Sequence, residues 1–120
     1  MEETIFRGDI VILNFGEARD HTIAKTRPAV IIQNNLGNKH RATTIVAPIT
    51  SNEKIGRLPI GVCLEPGITG LDRTSYVNLG QIHTIDKINI IKKIGSVPNA
   101  DMKHIDRAIK ISLGLEQHSL

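Results

Sequence analysis

A chain of 120 residues, 40% apolar and carrying charge of both signs, has the composition of a folded globular protein and the length of one domain with a modest core, read here over residues 1–120. Its net charge is a mild +3, and its three aromatic residues, Phe6, Phe15 and Tyr76, are too few for an RNA surface tiled with stacked rings. Cys63 is the only cysteine, which excludes an intrachain disulfide, and nothing around it has metal-ligand spacing.

The segment Met1–Asp9 (MEETIFRGD) is acidic and lacks a long apolar run, so it is not read as a secretory signal, and no window is long enough for a membrane span. A reducing cytoplasm is the simplest location. Gly8–Phe15 (GDIVILNF) reads as the first strand. Gly16–Lys25 is polar, without period, and reads as a long loop able to cover a ligand.

The next stretch, Thr26–Thr50, organises the chain. Pro28–Gln33 and Thr43–Pro48 read as two buried strands, and Asn34–His40 (NNLGNKH) as the turn between them, with Gly37-Asn38 a candidate pair at positive φ. Pro28 has no N–H and suits the first position of a strand, and it biases Arg27 towards an extended conformation. If the strands pair antiparallel, Arg27 before the first meets Thr50 after the second. Residues 19–57 also carry a net +5 against −2 for the rest, a distribution suited to a polyanion or an acidic partner, or to a solvated surface.

Ile49–Leu58 reads as a second loop, with Lys54, Gly56 and Arg57. Pro59–Leu64 is a fourth strand, on which Cys63 is expected to be buried or nearly so. Glu65–Gly70 is a turn, Thr74–Leu79 a fifth strand, and Gly80–Asp86 a connection, with one helical turn starting at Asp86-Lys87. Ile88–Val97 is a strand that breaks period two, so a bulge is expected near Gly95. A helix follows, with Asn99 as N-cap, Asp101 in its first turn, Met102, Ile105, Ala108, Ile109 and Leu113 at helical spacing, and Gly114 at C′. Its apolar face docks on the sheet or on a second subunit. The fold class is mainly β (α+β), a small curved barrel with a C-terminal helix.

Arg27 and Thr50 suit a phosphodiester. The arginine offers a planar, permanently charged fork, and Thr50 with Ser51 offers hydroxyls. In RNA the adjacent 2′-OH can attack its own phosphate, which requires splaying of the strand, charge stabilisation and proton transfer, but no metal and no protein nucleophile. An arginine is a permanent cation and a poor base at neutral pH, so its role is to clamp charge and to donate a hydrogen bond to the leaving oxygen. The structural alternatives are a strand-edge ion pair for Arg27 and a turn hydroxyl for Thr50. Five histidines compete as acid/base groups; His21 and His83 fall near the proposed site, while His40, His104 and His118 are expected in solvent.

RGDIV, TRPAVIIQNNLGN, IVAPIT, LP, LGQIHTIDK and AIKISLGL follow one another in an order that resembles the MazF/PemK family of bacterial toxin endoribonucleases, Gram-positive MazF type. The resemblance implies the CcdB/PemK-like toxin fold, an SH3-like barrel with a terminal helix, acting as a homodimer without cofactor. It implies metal-independent, sequence-specific cleavage of single-stranded mRNA to 2′,3′-cyclic phosphate and 5′-hydroxyl ends, arresting growth. The family's catalytic pair falls on Arg27 and Thr50. Substrate contacts fall on the two loops, including Lys25 and Ser51, and on Asn34, Gln81 and His83. His83 stands where relatives carry arginine, a departure that bears on base preference. A MazE-like antitoxin with an acidic disordered segment is the implied inhibitor. Two other readings remain at this level: a non-enzymatic toxin of the same fold that poisons gyrase, and an SH3-like or Sm-like RNA-binding module.

Overall fold

Alternating Ile and Val residues turn the early strands into a two-sided apolar sheet. The computed structural model describes residues 4–14 and 26–117. The expected first loop, with His21 and Lys25, and the position of His118 lie outside the described residues. β1 (Asp9–Asn14), β2 (Thr26–Ile31) and β3 (Thr43–Thr50) form consecutive antiparallel ladders. β4 (Gly61–Leu64), β5 (Ser75–Asn78), β6 (His83–Asp86) and β7 (Ile90–Ser96) complete the sheet, whose order is β4-β5-β3-β2-β1-β7, with β6 added to β3.

The pleat sends alternate side chains to opposite layers. Ile10, Val30, Ala47, Ile49, Val62, Leu64, Val77 and Leu79 meet Ile105 and Ala108 of the helix in the larger core. Val11, Leu13, Ala29, Ile31 and Val46 form a smaller core on the other face with Ile5. Both are aliphatic throughout, as the scarcity of aromatic residues requires.

β4 and β7 end the sheet without pairing, so the barrel is not closed by a ladder. The segment after β4 bridges part of the opening. Ser96 N–H donates to Ile68 O at 3.0 Å, and Gly70 and Gly95 allow the two backbones to approach. A Cβ on Gly95 would lie 2.3 Å from Ile68 O. Gly95→Ala is therefore expected to destabilise the fold by about 1–3 kcal/mol, seen as a lowered urea midpoint. The bulge expected near Gly95 is present: Gly95 pairs with Ile10 but Lys93 with Val11, leaving Ile94 as the extra residue. A second slip leaves Ile91 unpaired between Lys92 and Ile90.

Several local expectations are corrected. Residues 35–40 form a helix, α1 (Asn35–His40), and Gly37 does not adopt positive φ. The helix forms because Asn34 caps it, its Oδ1 accepting from Gly37 N–H at 2.8 Å. Asn38 then points inward, where Thr44 Oγ1 and Gln33 Nε2 donate to its Oδ1 at 2.7 and 3.1 Å and its Nδ2 donates to Gln33 O at 2.9 Å. A short helix, α2 (Glu53–Gly56), interrupts the second loop. His83–Asp86, expected as connection, is β6, while the helical turn expected at Asp86-Lys87 is present as a 3₁₀ turn over Lys87–Asn89 with Asp86 at its N-cap. Cys63 is exposed, because on the four-residue β4 its neighbours Val62 and Leu64 take the core face.

The last element, α3 (Asn99–Ser112), lies on the larger core through Ile105 and Ala108, with Met102 and Ile109 at its margin. Its N-cap is Pro98, not Asn99: the carbonyl of Pro98 accepts from Asp101 and Met102, and no side chain caps it. Gly114 follows at φ +77° and ends the helix as expected. Arg7 ties α3 to the sheet, pairing with Asp106 at 2.8 Å and donating from Nε to Ile32 O at 2.7 Å.

Candidate active site

The β2–β3 register pairs Ala29 with Pro48, Val30 with Ala47 and Ile31 with Val46. Two more residues along the same register, Arg27 stands opposite Thr50. The ladder stops before reaching them, at residues flanked by Pro28 and containing Pro48, neither of which has an N–H to give. The two strands thus remain neighbours while the seam between Arg27 and Thr50 is left without a ladder pair. On its other side, β3 continues into β5 through Ile49–Val77 and Thr50–Tyr76. Tyr76 in turn pairs with Cys63 on β4, and Leu13 on β1 pairs with Arg27.

One row therefore crosses five strands: Leu13, Arg27, Thr50, Tyr76, Cys63. Residues opposite one another in antiparallel strands share a face, and this face is that of the smaller core. Leu13 is buried, Thr50 and Tyr76 are half-buried, and Arg27 and Cys63 are exposed. The row runs from the edge of an apolar layer into solvent.

Arg27 has no carboxylate partner among the described residues. Its fork is available to an anion. Thr50 Oγ1 accepts from Asn52 N–H at 3.1 Å, the turn bond its position suggests. That bond uses a lone pair and leaves the hydroxyl hydrogen free to donate outward. The local role and the phosphate role are thus compatible. Asn52 also caps α2, its Oδ1 accepting from Lys54 N–H at 3.0 Å. Ser51 is exposed beside Thr50.

The remaining sequence candidates fall into two groups. Gln81 lies in the turn between β5 and β6, which both pair with β3 on the side away from β2. His83 pairs with Val46, on the same face as Thr50 but four residues along β3, about 13 Å away by strand rise. Asn34 is beyond the opposite end of β2 from Arg27, and its side-chain oxygen is engaged in capping α1. Lys25 lies outside the described residues. The basic residues of the central stretch also divide. Lys54 in α2 and Arg57 at its C-cap lie next to the row, whereas Lys39 in α1 and Arg41 at its C-cap precede β3, away from Thr50.

Sequence reasoning passed over Tyr76. It read only as a lone tyrosine in the fifth strand until the register placed it beside Thr50. Cys63 ends the row but is a poor nucleophile: partial burial, with Glu65 and Asp101 nearby, pushes its thiol above the ordinary value and holds it protonated. Among the described residues no group of three or more His, Cys, Asp or Glu is placed to hold a metal ion. No helix among them is long and apolar enough to cross a membrane.

Comparison with known proteins identifies the family. The profile described as a PemK-like, MazF-like toxin of type II toxin-antitoxin systems matches residues 6–113. An endoribonuclease MazF of Staphylococcus saprophyticus is 38% identical over 109 residues, covering 91% of each chain. A mycobacterial endoribonuclease in complex with its cognate antitoxin superposes with a TM-score of 0.79 at 27% identity, over 95% of this chain and 99% of that one. The MazF of a MazE–MazF complex from Deinococcus radiodurans shares the fold at a TM-score of 0.79 and 20% identity, over 96% and 100% of the two chains. The aliphatic two-core sheet, its terminal helix and these matches together place the chain in the PemK-like, MazF-like family of type II toxins.

Proposed function

We propose that the chain is a growth-arresting endoribonuclease that cuts single-stranded mRNA at the seam between Arg27 and Thr50, without a metal. The juxtaposition of these two residues in the β2–β3 register carries the reading. In the reaction, the 2′-oxygen attacks the adjacent phosphorus in line with the 5′-oxygen. The P–O2′ bond forms as the P–O5′ bond breaks, leaving a 2′,3′-cyclic phosphate and a 5′-hydroxyl. The 2′-OH loses its proton, and the departing oxygen gains one. Negative charge grows on the non-bridging oxygens, where the Arg27 fork and the Thr50 hydroxyl are worth most. Arg27 stays charged and clamps the phosphate through hydrogen bonds, while solvent water takes the 2′-proton and supplies the proton that the 5′-oxygen gains.

Gln81, His83, Ser51 and Lys25 contact the RNA on either side of the seam, and Asn34 is a more distant contact. The protein works in the cytoplasm as a homodimer. The exposed cations Arg27, Lys54 and Arg57 that meet RNA also suit an acidic, disordered segment of a MazE-like antitoxin. The antitoxin complex of the mycobacterial relative supports that partnership. A gyrase poison or a plain binding module needs no arginine poised opposite a hydroxyl at an open seam.

The test is incubation of purified protein with a long single-stranded RNA in EDTA, followed by mapping of the ends. Discrete cuts bearing cyclic phosphate are expected. An absence of cutting by folded dimer would overturn the reading in favour of a binder.

A further inference from the structure

Tyr76 is the one aromatic residue in the described strands, and it lies next to Thr50 in the row that contains Arg27. Its ring is held in an unusual way. A Cβ on Gly56 would fall 2.5 Å from Cδ1 and 2.6 Å from Cε1 of the tyrosine, so the backbone of α2 lies directly against the ring. Only glycine permits that approach. The side chain is half-buried, and its strand partner on the far side, Cys63, is small and exposed. No hydrogen bond to its hydroxyl is made among the described residues, so what the site presents is a ring packed against the α2 backbone.

In-line attack requires the nucleotides around the scissile phosphate to leave their helical stack. A fixed aromatic ring one strand from the phosphate-binding seam offers a surface for the displaced base, since every nucleobase has a π-face. We propose that Tyr76 is a substrate-positioning residue that stacks on a nucleobase flanking the scissile phosphate and holds the strand splayed for attack. The proposal rests on the nuclease reading above and adds to it the element that Arg27 and Thr50 do not supply. The contact with Gly56 holds the ring against α2, on the face of the row that carries Thr50.

The experiment uses a short RNA containing one mapped cleavage site, cut under single-turnover conditions by wild type, Tyr76→Phe, Tyr76→Leu and Gly56→Ala. Tyr76→Phe keeps the ring and is expected to cut at close to the wild-type rate. Tyr76→Leu retains bulk without a π-face and is expected to lose about 10- to 100-fold. Gly56→Ala displaces the ring and should lose activity in the same direction, with the fold checked by circular dichroism. The same RNA is then made with an abasic nucleotide at each position flanking the cut. At one position the abasic change should slow the wild type and Tyr76→Phe but add nothing to the defect of Tyr76→Leu. Cutting by Tyr76→Leu at the wild-type rate, or abasic and leucine losses that simply multiply at every position, would overturn the stacking role while leaving the nuclease reading intact. Failure of the wild type to cut any RNA would overturn both, and is distinguished by the wild-type lane alone.

Discussion

Arg27→Ala should lower the cleavage rate by about 10³-fold or more, with little change in stability. One preorganised donor to a developing oxyanion is worth about 10²–10³ in rate, and an arginine on a phosphoryl transition state about 10³–10⁵. Stability should change little because the side chain is exposed and makes no ion pair among the described residues. Single-turnover cleavage and a urea titration on the same preparation separate the two effects. Arg27→Lys keeps the charge but not the planar fork, and should recover only part of the loss. A normal rate in Arg27→Ala would show that the seam is not the reaction centre.

Asn38→Ala should produce the opposite pattern, a large loss of stability without a direct effect on chemistry. Asn38 is buried and its side chain makes four hydrogen bonds: it accepts from Thr44 and Gln33 and donates to the Gln33 carbonyl and, more weakly, to Asn35 Oδ1. Lys87 Nζ also donates to its main-chain carbonyl. Truncation strands the Thr44 hydroxyl and the Gln33 carbonyl away from water, a loss of about 2–4 kcal/mol. The urea midpoint should fall at unchanged m value. Thr44→Val removes a donor together with its requirement for an acceptor. Combined with Asn38→Ala, it should therefore cost less than the sum of the two single changes. Strict additivity would mean that the three side chains do not act as a network.

These two predictions show where the sequence was legible. The juxtaposition of Arg27 and Thr50 was legible because antiparallel pairing brings the start of one strand to the end of the next, and prolines mark the point. The terminal helix was legible from its spacing and from Gly114, which stops it. Asn34–His40 was not, because asparagines and a glycine are the residues of turns. Their commitment to a capped helix depends on a buried acceptor for Thr44, which is a tertiary fact. Cys63 was misplaced for a related reason: alternation gives two faces but does not say which one is covered. Tyr76 carried no local signal of function. Its position beside Thr50 comes from the β3–β5 register, and its fixed ring from Gly56, twenty residues earlier in the chain.

The most direct test of the chemistry places a single 2′-deoxynucleotide immediately 5′ of one mapped scissile phosphate in an otherwise unchanged RNA with two cleavage sites. If the substrate's own 2′-oxygen is the nucleophile, cutting at the modified site should vanish while the second site is cut at its normal rate. Continued cutting at the deoxy position would contradict the account, because the nucleophile would then be water or a group on the protein.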